Sequence, residues 1–214
     1  QNEVKSISPV NLNYLLWRNP ENLKTRSILA LGFNPNDSIL LDKEFSQKAN
    51  LLKNPGRVLF DSLSRPEFGP VEEWFKSGRK VQTEVAGKRV LVAGLVELGP
   101  SFGADGNLIT STETYLKLFP ANPKGSIEIG LVKLIANSDS QKVSQILNKS
   151  LPNDVRVLTK DEFIEFEKNY WKTSTAIGFI FSLGAFMGFI VGCVVVYQIL
   201  YSDVSDHLPE YATL

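Results

Sequence analysis

Cysteine and histidine are almost missing from this 214-residue chain, which holds one of each, Cys193 and His207. A single cysteine closes no disulfide within the chain, so cysteine usage says nothing about redox compartment. With both residues near the C-terminus, the long stretch before them has no zinc cluster, Cys–His dyad or Ser–His–Asp triad. The 23 Lys and Arg balance 23 Asp and Glu, which leaves no basic footprint for nucleic acid. Positive charge is also missing locally, because no Lys or Arg follows Lys172. The first residues, Gln1-Asn2-Glu3, include no initiator Met and open no secretory leader. The last, Leu214, follows neither a capping Gly nor a polar tail. The chain is therefore expected to be a fragment cut at both ends, with a processed N-terminus as the alternative.

Nucleotide and metal motifs are absent too. There is no G-x-x-x-x-G-K-[ST]. Gly99-Pro-Ser-Phe-Gly103-Ala-Asp-Gly106 is glycine-rich but has neither the P-loop lysine nor dinucleotide-binding spacing, and reads as a surface loop. Asp105-Gly106-Asn107 is a turn rather than a calcium loop. Asn148-Lys149-Ser150 fits a glycosylation sequon, a triplet common by chance. The acidic groups at Glu72-Glu73 and at Glu162, Glu165 and Glu167 read as solvated faces. No catalytic residue, cofactor or metal site is assigned.

What the chain does have is one long apolar run. No charged residue lies between Thr173 and Ser202, a stretch of 30 residues where about 20 cross a bilayer core. Tyr170, Trp171, Tyr197 and Tyr201 flank or end it, as interfacial aromatics do. A transmembrane helix from about Thr173 to Tyr201 follows. Gly184, Gly188 and Gly192 recur every four residues, which places them on one helical face where a neighbouring helix can approach closely. Lys168 and Lys172 precede the run, while Asp203, Asp206 and Glu210 follow it. Taken alone, these charges put the large domain in the cytoplasm.

Residues 1–160 read as mixed α and β. Strands are expected at Glu3–Ser8, Tyr14–Trp17, Ser27–Gly32, Val81–Val85, Arg89–Leu95, Asn107–Thr110, Ile127–Ile135 and Val155–Leu158. Short helices are expected at Lys43–Leu52, Val71–Lys76 and Thr112–Phe119. Ser138 or Asp139 caps a further helix with Val143, Ile146 and Leu147 on one face, and completes a β-α-β unit between the last two strands. Thr159-Lys160-Asp161-Glu162 has capping-box form, and Phe163, Phe166 and Tyr170 then share a face. Two courses stay open from there. One is an unbroken helix from Asp161 to Tyr201, about 60 Å long, whose first part stands out of the membrane as a stalk. The other has a break near Trp171.

The C-terminal third carries a resemblance. Gly178-Phe-Ile-Phe-Ser-Leu-Gly184, Gly188-Phe-Ile-Val-Gly192 and above all Val196–Leu214 resemble the DevC-type permease, within the MacB/FtsX class of ABC transporters. Trp17–Glu21, Leu31–Pro35, Val58-Leu-Phe-Asp61, Arg65–Gly69, Ser101–Asn107 and Leu151–Val155 are similar to the same family, so the resemblance spans nearly the whole chain.

The resemblance implies an α+β extracytoplasmic domain, a MacB-like periplasmic core, over residues 1–160. A stalk and the second of four transmembrane helices would follow over 161–201. The start of a cytoplasmic coupling segment would occupy 202–214, with Pro209 in the first turn of a coupling helix. Asp206, His207, Glu210 and Tyr211 would then contact the ATPase, and Gly184, Gly188 and Gly192 would pack on the other helices. The implied partners are an ATP-binding cassette ATPase, a periplasmic adaptor, an outer-membrane channel, membrane lipid and a second permease copy. The implied location is the inner membrane with the large domain periplasmic, against the charge pattern. A single-pass anchored binding protein and a membrane-tethered enzyme are the alternatives.

Overall fold

The computed structural model describes residues 3–37, 43–123, 125–174 and 176–211. The chain divides into two compact units, Gln1–Ala136 and Asn137–Leu214.

In the first unit, β1 (Val4–Arg18), β2 (Thr25–Phe33), β3 (Arg57–Asp61), β4 (Gln82–Val85), β5 (Lys88–Val96), β6 (Asn107–Ser111) and β7 (Ile129–Leu134) form one sheet in the order β2-β6-β3-β5-β4-β1-β7. β1 also pairs with β2, so six strands close into a ring. The short helices α1 (Lys43–Ala49), α2 (Val71–Lys76) and α3 (Thr112–Leu118) join them.

Alternation along the strands builds two cores. Leu15, Trp17, Ile28, Ala30, Val58, Phe60 and Leu108 share one with α3 residues Tyr115 and Leu118. Leu59, Ile109 and Phe33 point the other way, onto Phe45, Ala49 and Leu52. β5 serves both cores because its register against β3 skips a residue between Val92 and Gly94. A bulge of this kind reverses which side chains face which way. Val90 and Val92 therefore join the first core, and Val96 the second.

Three expectations change. The strands expected at Glu3–Ser8 and Tyr14–Trp17 are one 15-residue strand. The polar stretch between them stays extended because the Asn11 amide donates to the Ser126 carbonyl and to Glu128, and Glu128 also accepts from the Leu12 N–H. β3 was not expected as a strand. Four of its five residues are buried, on both faces, so it shows no alternation.

The expected strand Val155–Leu158 does not form, and with it goes the β-α-β unit. The two hydrogen bonds a neighbouring strand would make to Val157 are made by Asn148, whose Nδ2 donates to the Val157 carbonyl at 2.6 Å and whose Oδ1 accepts from its N–H at 2.8 Å. The sequon asparagine is thus occupied as a backbone clamp. β7 is half exposed along its length rather than a core strand.

Tyr115 yields a first prediction. Its ring packs so tightly on β2 that a Cβ at Gly32 would lie 2.6 Å from the tyrosine Cβ. Its hydroxyl is buried with no hydrogen-bond partner among the described residues. Burial, with a smaller push from Glu128, raises the phenol from its ordinary 10.0 to about 12. A group raised in the folded state holds its full stability below its unfolded pKa and loses it as pH climbs through the folded one. The wild-type chain is therefore expected to lose stability between pH 10 and about 12. Tyr115→Phe should flatten that loss and cost under about 1 kcal/mol at pH 7, since no bond is broken. Urea midpoints at pH 7 and pH 11 for both proteins check it.

Candidate functional site: the apolar helix and its flanks

In the second unit, α4 (Ser140–Ser150) is followed by α5 (Lys160–Thr173) and α6 (Ala176–Tyr211). Asp139 caps α4 by accepting from the Gln141 and Lys142 N–H groups. Thr159 caps α5 in a full capping box, in which its hydroxyl accepts from the Glu162 N–H and the Glu162 carboxylate accepts from the Thr159 N–H. Arg156, just before the cap, lies over the Phe166 ring at 5.3 Å from its centre.

The unbroken helix is not what forms. α5 ends at Thr173, whose hydroxyl donates to the Asn169 carbonyl, and Ser174 takes the C-cap position. α6 starts afresh at Ala176. The two pieces meet so closely that a Cβ built on Gly178 would lie 1.9 Å from the Lys172 carbonyl oxygen. Six residues of straight helix advance about 9 Å. An approach this close requires the axis to turn, and only glycine leaves room for it.

α6 runs 36 residues, about 54 Å. Over Gly178–His207 it is long and apolar enough to cross a membrane, and none of it is buried. A helix apolar all round and left unburied has the character of one that meets lipid or other helices. Gly184, Gly188 and Gly192 line one face, and a Cβ at any of them would meet nothing within 4 Å. The Tyr197 and Tyr201 rings stack one turn apart, 6.1 Å between centres.

The polar flank stays on the same helix. Asp206 and His207 are exposed, and the His207 Nε2 lies 3.8 Å from a carboxylate oxygen of Asp203 one turn back. Glu210 and Tyr211 fall in the final turn, and their side chains lie outside the described residues. The helix passes through Pro209, so no new helix begins there. Having no N–H, Pro209 leaves the Ser205 carbonyl without its usual partner. The structure therefore sets Asp203 and His207 together and places Asp206, Glu210 and Tyr211 on the same terminal turns.

A polar constellation lies in the first unit. Asp61, fully buried at the end of β3, accepts from the N–H groups of Leu63, Leu98 and Gly99 and from the Asn107 amide at 2.7 Å. Asp105 pairs with Arg26 at 2.6 Å and Arg65 at 2.9 Å. The Arg26 guanidinium, with Arg65, holds the Asp105 carboxyl below the usual carboxylate range. These groups tie two loops together. They offer no nucleophile with a base, and no cluster able to hold a metal exists among the described residues. The signal in the sequence is an Asp closing the apolar run Val58-Leu-Phe and a glycine-rich loop ending in Asn.

No family model matches the chain, and no curated protein matches it. Solved structures do. The extracellular domain of YknZ, a noncanonic ABC-type transporter from Gram-positive bacteria, is similar with TM-score 0.48 and 13% identity, over 74% of this chain and 83% of that one. The periplasmic region of MacB from Actinobacillus actinomycetemcomitans is similar with TM-score 0.47 and 12% identity, over 79% and 78%. A domain of a putative permease protein from Porphyromonas gingivalis has TM-score 0.38 and 14% identity, over 71% and 66%.

Proposed function

We propose that the chain is part of the membrane permease of an ABC-type export system, of the DevC type within the MacB/FtsX class. In this reading a separate ATPase hydrolyses ATP, and the permease is non-catalytic and binds no cofactor. Residues 1–160 form a periplasmic domain, 161–201 the segment that leads into and forms the second of four membrane helices, and 202–214 the start of the coupling segment. Two copies work with a periplasmic adaptor and an outer-membrane channel to export a lipid or glycolipid-like cargo.

The observation that carries the reading is α6, apolar on every side and with an open glycine face. An anchor surrounded by lipid needs no such face, whereas a helix within a bundle does. The residue resemblance at Val196–Leu214 supplies the class.

The test is co-purification from native membranes. The product of the complete reading frame is expected to bring down an ATP-binding cassette ATPase, and Glu210→Lys should abolish its recovery. A protein that inserts normally but recovers no ATPase is the anchored binding protein instead. Gly188→Leu keeps α6 apolar, so insertion should be unchanged. Recovery of the intact assembly should fall severalfold, read by size exclusion in detergent.

A further inference from the structure

We propose that the last two turns of α5, Phe166 to Thr173, lie in the phospholipid headgroup layer, so that α5 is a membrane-surface helix rather than a free-standing stalk. The proposal rests on α6 crossing the bilayer.

Three observations lead there. The first is depth. The stacked Tyr197 and Tyr201 suit one interface. Counting back about 20 residues, the roughly 30 Å of a hydrocarbon core, reaches Gly178. The opposite interface then falls at the start of α6, and α5 ends within a few residues of it.

The second is direction. The turn at Ser174, which brings Gly178 onto the Lys172 carbonyl, takes α5 off the axis of α6. A stalk continuing outward would need the straight helix that does not form.

The third is the α5 surface. Phe163, Phe166 and Tyr170 form a stripe along it, each nearly half exposed at 48%, 45% and 49%. The Trp171 ring stands edge-on to Tyr170 at 6.0 Å. Aromatic rings with a polar atom at one end favour the headgroup level. Charge is graded along the helix. Asp161, Glu162, Glu165 and Glu167 outnumber Lys160 in its first two turns, while Lys168, which pairs with Glu165 at 2.7 Å, and Lys172 lie towards the membrane end. Arg156 adds a further cation over Phe166. The cationic end suits phosphate, and the acidic end lifts away from it.

Spin labels read the depth directly. Single cysteines at Glu162, Phe166, Tyr170 and Phe186, in a Cys193→Ser background, are labelled in the full chain. The chain is reconstituted in vesicles of phosphatidylcholine and phosphatidylglycerol at 3:1. Collision rates with oxygen, which partitions into lipid, are compared with those of a water-soluble nickel chelate. Labels at Phe166 and Tyr170 are expected to favour oxygen severalfold, while Glu162 favours nickel. Nickel access at Phe166 and Tyr170 equal to that at Glu162 would mean an upright stalk in water. Immobilised labels reached by neither agent would mean a protein partner covers the stripe. Either result overturns the proposal. Phe186 separates the two readings: if it too fails to favour oxygen, α6 does not cross the bilayer and the premise falls with the proposal.

Discussion

Asp61→Ala is expected to destabilise the sheet unit by about 4 kcal/mol, a large share of what a domain of this size has. Asp61 is fully buried and accepts bonds from three backbone N–H groups and one side-chain amide. Alanine leaves all four donors without the carboxylate, and the Asn107 amide among them is buried. Each orphaned donor costs on the order of 1–3 kcal/mol, less what relaxation recovers. Asp61→Asn keeps the shape but turns one acceptor into a donor. Its oxygen can serve one side of the cluster while its NH₂ faces another donor, so about half the loss is expected. Urea unfolding of the full chain in detergent, followed by Trp17 and Trp74 fluorescence, measures both. Limited proteolysis should also find the 98–106 loop in the alanine protein at urea concentrations that leave the wild type intact. A midpoint for Asp61→Ala that matches wild type would show that the loops hold without the carboxylate.

Gly178→Val is expected to remove the turn between α5 and α6. The new Cβ would fall 1.9 Å from a backbone oxygen, which no side-chain rotation relieves. Helix is the least costly alternative for this stretch, because with valine at 178 no glycine or proline lies between Asp161 and Leu183. A continuous helix puts positions 162 and 186 about 36 Å apart. The wild-type turn puts them closer. Pulsed electron–electron distance measurement on a labelled Glu162→Cys, Phe186→Cys pair, with Cys193→Ser, distinguishes the two. Identical distance distributions in wild type and Gly178→Val would mean that the turn has another cause. On the proposed permease reading, with α5 resting on the membrane, export should fail in the straightened variant.

The residues that announced themselves in the sequence were those whose environment follows from their neighbours in the chain. The apolar run predicts α6 because lipid asks only for length and hydrophobicity, and Thr159 with Glu162 marks the start of α5 because a capping box is local. β3 hid because burial on both faces erases alternation. Val155–Leu158 misled because its apolar pattern suits a strand, while the Asn148 clamp that replaces the sheet depends on tertiary approach. The turn at Ser174 was open in the sequence. Nothing in Trp171–Ala176 breaks a helix, and the glycine that permits the turn lies four residues beyond the cap. Gly184, Gly188 and Gly192 were legible as a face, since a period of four needs no fold to interpret. Asp61 was visible as a motif without a role, because its donors lie up to 46 positions away.

The way β1 and β7 sit together has a mechanical consequence. The chain enters the sheet unit at Glu3 and leaves it at Ile135, and the Ile135 N–H donates to the Glu3 carbonyl at 3.0 Å. The two strands run antiparallel from that end. A load drawing the entry and exit points apart would open their hydrogen bonds one after another, like a zip, at low force. A load moving both points together strains none of them. The unit tolerates being carried far better than being stretched. Because β1 belongs to the closed ring of six strands, a load moving both points together displaces the ring whole, with β7 carried along on its β1 edge.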